Sequence, residues 1–138
     1  MHPLLPPTFV LLGLTFAVWI LLYLRRVREM KAKRIHPQKV ASRADAQRLL
    51  EDTSASNNFQ NLLEMPLLYY ALVALVIATN TAPGIIAMLA WAFVALRIVH
   101  SVIHVTYNTV LHRFWVYFVS SVMLWSAWGV FVWRQLGL

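Results

Sequence analysis

The chain has 138 residues, 60% of them hydrophobic and only 12% charged, with a mean hydropathy of +0.63. Soluble domains carry about 25% charged residues, so this composition excludes a disordered or nucleic-acid-binding tail and points away from a water-soluble domain. The chain has no cysteine and a net charge of +7, which excludes a disulfide scaffold, a thiolate metal centre and a cysteine relay; any thiol chemistry must act on a thiol from elsewhere.

Four apolar stretches follow in order. Thr8–Leu24 comes after a proline-rich start (Pro3, Pro6, Pro7). Its positive charges follow the apolar run and no small-residue cleavage site is evident, so it reads as a retained helix and not a signal peptide. Residues 25–52 then hold nine of the twelve basic residues and four acids, a net of +5. Between two apolar runs such a block reads as a cytoplasmic loop under the positive-inside rule. Within it, residues 39–52 form a short amphipathic piece. Ser42 is its expected cap, with Val40, Ala44 and Leu49 on an interfacial face, and His36-Pro37 separates it from the first helix.

Met65–Thr79 is the second stretch. Asn80-Thr81-Ala82-Pro83-Gly84 is an uncharged turn suited to an external hairpin. Ile85–Leu96, extended past Arg97 towards Tyr107, is the third, and Phe114–Trp133 the fourth. A membrane helix needs about 20 residues, with a range of about 17–25. The expected architecture is an all-α integral membrane protein, one domain over residues 1–138. Its four transmembrane helices run over roughly 5–33, 58–79, 84–108 and 113–135, with a basic cytoplasmic loop over 34–56. Both termini then lie outside the cytoplasm.

Polar residues inside these stretches carry the functional signal. At about 100° per residue, Arg97, His100, Ser101, His104 and Asn108 share one stripe, with Tyr107 at its edge. Asn57, Gln60, Asn61 and Glu64 share a face of the second helix, and Arg113, Tyr117 and Ser120 one of the fourth. All three are richest towards the basic end, so the expectation is one wet, charged pocket. A plainer reading stands beside it: Glu64 pairs with Arg97 to hold two helices together. The i, i+4 pair His100 and His104 also suits a metal or haem, but no other helix offers a facing histidine within its span. No metal is therefore expected, and the tryptophans read as interface belt.

The segment Asn57-Asn58-Phe59-Gln60-Asn61-Leu62-Leu63-Glu64-Met65-Pro66, then Arg97-Ile98-Val99-His100, then Arg113-Phe114-Trp115-Val116-Tyr117, resembles the MAPEG family, the membrane-associated proteins in eicosanoid and glutathione metabolism. The likeness runs over nearly the whole chain and is nearest the bacterial, microsomal glutathione S-transferase-like branch. It implies a four-helix protomer, a homotrimer in a bacterial inner membrane, and glutathione as co-substrate between protomers. It also implies an apolar small molecule or lipid as the second substrate, and no nucleic-acid partner. Carried over by position, Asn61 and Glu64 match the family's Asn-x-x-Glu, and Arg25 the basic residue at the inner end of helix one. Arg97 and His100 match the helix-three pair, Arg113 the catalytic arginine beside the sulfur, and Tyr117 a tyrosine at the glutathione site. His104, which continues the helix-three stripe, is grouped with these glutathione-binding residues. The chain departs from eukaryotic members at Gln60 (arginine there), His104 (tyrosine) and Phe114 (serine in the prostaglandin synthase branch).

The chemistry is consistent with that ligand. Glutathione carries two carboxylates, an ammonium and a thiol. Glu64 suits the ammonium, Arg25 and Arg97 the carboxylates, and Asn61 the peptide groups. A free thiol has a pKa of about 8.5, lowered by a nearby cation. Arginine stays charged and is no base at neutral pH, so the role expected of Arg113 is electrostatic. The expected function is a membrane glutathione-dependent transferase or peroxidase. The alternative is a non-catalytic MAPEG-like trimer that binds a lipid or thiol ligand.

Overall fold

The computed structural model describes residues 1–137 and is helical throughout its ordered elements. Helix α1 spans Leu5–Ala32, followed by a 3-10 turn at Pro37–Val40 and a short α2 at Arg43–Leu49. Then come α3 (Ser54–Ala78), α4 (Gly84–Val105) and α5 (Val110–Gln135). Four of them, α1, α3, α4 and α5, are long and apolar enough to cross a membrane; the chain is a multi-pass membrane protein.

The boundaries follow local chemistry. α1 opens with prolines in its first turn, where a missing N–H costs nothing. It closes on Arg34 in the left-handed region, φ 54°, with the Ile35 N–H donating to the Met30 carbonyl at 2.9 Å. A helix of 28 residues is about 42 Å long, more than the roughly 30 Å hydrocarbon core. The excess of about 12 Å matches the length of its charged last two turns, from Arg25 onwards. Ser42 caps α2 by accepting the Asp45 N–H at 3.1 Å. Ala46 and Leu50 turn inwards; of the three residues expected on an interfacial face, Ala44 and Leu49 are exposed and Val40, in the 3-10 turn, is half-buried.

Three helix ends differ from the sequence expectation. α3 begins at Ser54, one turn earlier than residue 58, because Asp52 accepts from the Ser54 N–H at 3.1 Å and holds the first turn. α4 ends at Val105 and not at Asn108, since Asn108 is left-handed, φ 52°. α5 starts at Val110, with the Arg113 N–H already bonded to the Thr109 carbonyl.

The four long helices alternate in direction. Gln135 reaches Thr79 at 3.3 Å and Arg134 donates to the Ala82 carbonyl at one end; Arg25 meets Ser54 and Val105 at the other. α4 and α5 form the most extensive pairing, and α1 packs on α3 and α4. Buried positions follow the helical repeat, at intervals of three, four or seven residues along one face: Pro7, Leu11, Val18 on α1; Leu62, Pro66, Tyr69, Val73, Val76 on α3; Ile86, Ala90, Phe93 on α4, with Val94 beside Phe93; Leu124, Ala127, Phe131 on α5. Tyr69 stacks on Phe93 with centroids 5.4 Å apart, and its hydroxyl meets the Thr8 hydroxyl at 3.0 Å. Phe16, Trp19, Met88, Trp91, Trp115 and Trp125 face outwards, the inverted polarity a lipid environment demands. The core is apolar at the Asn80 end and polar at the basic end.

Candidate functional site

At the basic end α4 carries its polar stripe into the bundle. Arg97 is fully buried, His100, Ser101 and His104 are each 2% exposed, and Asn108 lies beyond the helix. Three hydrogen-bonding arrangements organise the region.

Ser101 donates to Asn58 at 3.2 Å and ties α4 to α3. Arg97 donates to the Asn61 carbonyl at 2.8 Å, and its guanidinium lies 5.2 Å from the centre of the Tyr117 ring. One side chain thus joins α3, α4 and α5. The expected Arg97–Glu64 ion pair does not form as a contact among the described residues: the direct partners of Arg97 are neutral, and Glu64, exposed on α3, accepts from Gln60 at 3.1 Å and acts on Arg97 only through space. The Asn61 carbonyl and the aromatic face engage one edge of the guanidinium, while Nε and Nη1 are buried without a partner among the described residues.

The third arrangement is at the start of α5. Arg113 Nη1 meets His104 Nε2 at 3.3 Å and also donates to Asn108 Oδ1. Guanidinium has no acceptor, so His104 Nε2 is the unprotonated nitrogen and the ring carries its proton on Nδ1. That commits the lone pair of His104 to Arg113 and leaves it poorly disposed for a metal. Among the described residues no cluster of three His, Asp or Glu gathers anywhere.

A cleft of about 260 Å³ opens beside these groups, lined by Asn61, His100, Val110, Arg113, Phe114 and Tyr117. Four of the eight candidate residues, Asn61, His100, Arg113 and Tyr117, therefore meet in one place. The other four stand apart. His104 lies behind Arg113, and Arg97 behind Tyr117. Glu64 is on the exposed flank of α3. Arg25 is on the far side of the α4 terminus, where it donates to Asp52 at 3.1 Å, Ser54 at 2.9 Å and the Val105 carbonyl at 2.9 Å.

A second cleft of about 660 Å³ adjoins Arg25, with Arg28, Glu29, Asp52, Ser54 and Asn108 in its lining. The Ser54 hydroxyl and N–H, with Arg25 beside them, hold the Asp52 carboxyl below its usual range against the opposing effect of burial. Two arginines thus serve the carbonyl end of α4, Arg25 directly at Val105 and Arg113 through the Asn108 amide, as the negative end of a helix dipole favours.

Sequence reasoning missed two members. Asn58 was passed over for its neighbour Asn57, although spacing shows it: Asn58, Leu62, Pro66 and Tyr69 are one buried stripe. Asp52 belonged to a charge run, and nothing local marks it as the partner of Arg25. A family model described as the MAPEG family matches residues 4–133, a range that contains all of these groups. Neither curated proteins nor solved structures returned a match. With the match covering almost the entire chain and every polar element of the basic end, the protein belongs to the MAPEG family.

Proposed function

We propose that the protein is a membrane-embedded glutathione-dependent transferase or peroxidase of the microsomal glutathione S-transferase-like, bacterial kind, in which Arg113 stabilises the glutathione thiolate for attack on an apolar electrophile. The observation that carries this reading is the placement of Arg113: a guanidinium in a cleft with Asn61, His100 and Tyr117, only one of its nitrogens engaged by described residues.

The steps follow from these residues. Asn61 offers donor and acceptor to the tripeptide's amides. The thiol proton leaves to solvent, and the charge left on sulfur lies against the Nε and Nη2 edge of Arg113. Val110 and Phe114 line the same cleft, and Phe114 is 56% exposed on the outer surface. That gives an apolar co-substrate a route from the bilayer to the sulfur.

One protomer supplies a single arginine to the cleft, whereas glutathione has two carboxylates and an ammonium. Glu64 and Arg25 are on other faces of the protomer, and in a homotrimer Arg25 and Glu64 from adjoining copies complete the ligand set. The basic segment 25–52 faces the cytoplasm of a bacterial inner membrane, with both termini outside.

The test is calorimetric titration of the detergent-purified protein with glutathione, native mass spectrometry for the trimer, and conjugation of a generic aryl halide. Saturable binding with turnover is expected. Binding without turnover by either transfer or peroxide reduction replaces the enzyme with a non-catalytic trimer, and no binding at all removes glutathione as the ligand.

A further inference from the structure

We infer that Asn108 and His104 are positioning residues that fix Arg113 by one nitrogen and leave the opposite edge of its guanidinium for the ligand. This rests on the functional reading above and deepens it at one atom.

The argument starts from donor counting. A guanidinium has five N–H groups in a rigid plane. Nη1 has two of them, and the structure provides two acceptors for that nitrogen, His104 Nε2 at 3.3 Å and Asn108 Oδ1. The other three N–H groups, on Nε and Nη2, have no partner among the described residues, and Arg113 lines the cleft. Fixing one corner of a planar fork fixes the direction of the free edge. A single contact would leave it free to swing.

Both holders are themselves held. Asn108 follows α4 in the left-handed region, φ 52°, which asparagine tolerates far better than most side chains. Its N–H donates to the Ile103 carbonyl at 2.8 Å, so the backbone is locked to the end of α4. Its amide then faces a residue in the first turn of α5. His104 is 2% exposed, packs edge-on against His100 with centroids 5.6 Å apart, and presents its lone pair because Arg113 has nothing to accept with. The charged and titratable groups around the clamp are Arg97 and His100 on α4 and Arg113 and Tyr117 on α5, and across the second cleft, which Asn108 also lines, Arg25, Arg28 and Glu29 of α1 and Asp52. From α3 only the neutral Asn61 enters the Arg113 cleft.

This arrangement gives Asn108 a clean test, because glycine adopts the same backbone without strain. Asn108→Gly preserves the turn and removes only the acceptor. The protein is purified as the intact assembly, and the pH midpoint of thiolate formation by bound glutathione is followed by ultraviolet absorbance. Turnover of an aryl halide and glutathione affinity are measured beside it. Asn108→Gly is expected to raise the midpoint by about one pH unit and lower turnover about tenfold, the scale of one charge-assisted hydrogen bond. Affinity should change much less. His104→Leu should behave alike, and His104→Gln, which restores an oxygen acceptor, should recover most of the loss. A purely structural role would lower thermal stability and leave the midpoint in place. If Arg113→Leu abolishes the thiolate signal while Asn108→Gly keeps the wild-type midpoint, the clamp is refuted. If Arg113→Leu itself leaves the signal intact, the underlying functional reading fails and the clamp with it.

Discussion

Replacing Arg97 by methionine should leave the protein nearly as stable as before while weakening the ligand site. Arg97 is fully buried, with one hydrogen bond to a carbonyl at 2.8 Å and one aromatic face at 5.2 Å. A hydrogen bond from a charged group contributes about 2 kcal/mol, and a desolvated cation–π contact about 2 kcal/mol. Against these stand Nε and Nη1, both buried without a partner among the described residues, at about 2 kcal/mol each. The two sides offset, and methionine fills most of the volume. The Asn61 carbonyl left behind belongs to a helix interior, and no counter-charge is stranded. Thermal unfolding in detergent should therefore place Arg97→Met within about 2 kcal/mol of wild type, whereas Arg97→Ala, which leaves a cavity, should lose about 3–5 kcal/mol. The site should still suffer, because the side chain that links Asn61 to Tyr117 is gone, and glutathione affinity should fall. A double-mutant cycle with Glu64→Gln completes the assay, with a coupling under about 0.5 kcal/mol expected for residues that are not in contact. A loss of several kcal/mol in Arg97→Met, coupled strongly to Glu64, would refute this reasoning and reinstate a buried ion pair.

Two further outcomes follow from the packing. Tyr69→Phe should cost about 1 kcal/mol in thermal unfolding, since the phenol is buried and its only hydrogen-bond partner among the described residues is the Thr8 hydroxyl at 3.0 Å; Thr8 keeps its own bond to the Leu4 carbonyl at 2.7 Å, so the loss should not exceed that of one hydrogen bond. Asp52 has a folded-state pKa below its ordinary 3.8, so it stabilises the folded form fully above that value and less as pH falls through the lowered one. Because its side chain is 46% exposed, the effect should be under about 1 kcal/mol. It should be measurable as a smaller acid destabilisation in Asp52→Asn than in wild type.

The four spans were legible because apolar length is a one-dimensional property, and the inward faces were legible wherever the helix stayed regular. The α4 stripe shows this: Arg97, His100, Ser101 and His104 share a face by spacing and are buried together. Asn108 continues that spacing on paper, but a left-handed residue breaks the period and sends its side chain to Arg113 instead. The same limit explains Arg25 and Arg113. Sequence places both at the basic ends of helices, yet only the packing of α1 and α5 around α4 sets them on opposite sides of its terminus. The Glu64–Arg97 pairing misled for a related reason. Asn61 and Glu64 are three residues apart on one helix, and the difference of about 60° between them sends Glu64 to the outer surface while the Asn61 carbonyl meets the arginine.

The central claim is that the charge of Arg113 acts on the sulfur once it ionises. Its most direct test is the thiolate absorbance of glutathione bound to Arg113→Leu, read beside turnover and affinity, with Glu64→Gln as the contrasting variant. Each pKa unit of lost thiolate stabilisation is about 1.4 kcal/mol, a tenfold fall in the ionised fraction below the pKa. Arg113→Leu is predicted to lose the thiolate signal and to lose turnover by a larger factor than affinity, while Glu64→Gln loses affinity first because its partner is the ground-state ammonium. An undiminished thiolate signal in folded Arg113→Leu would contradict the account.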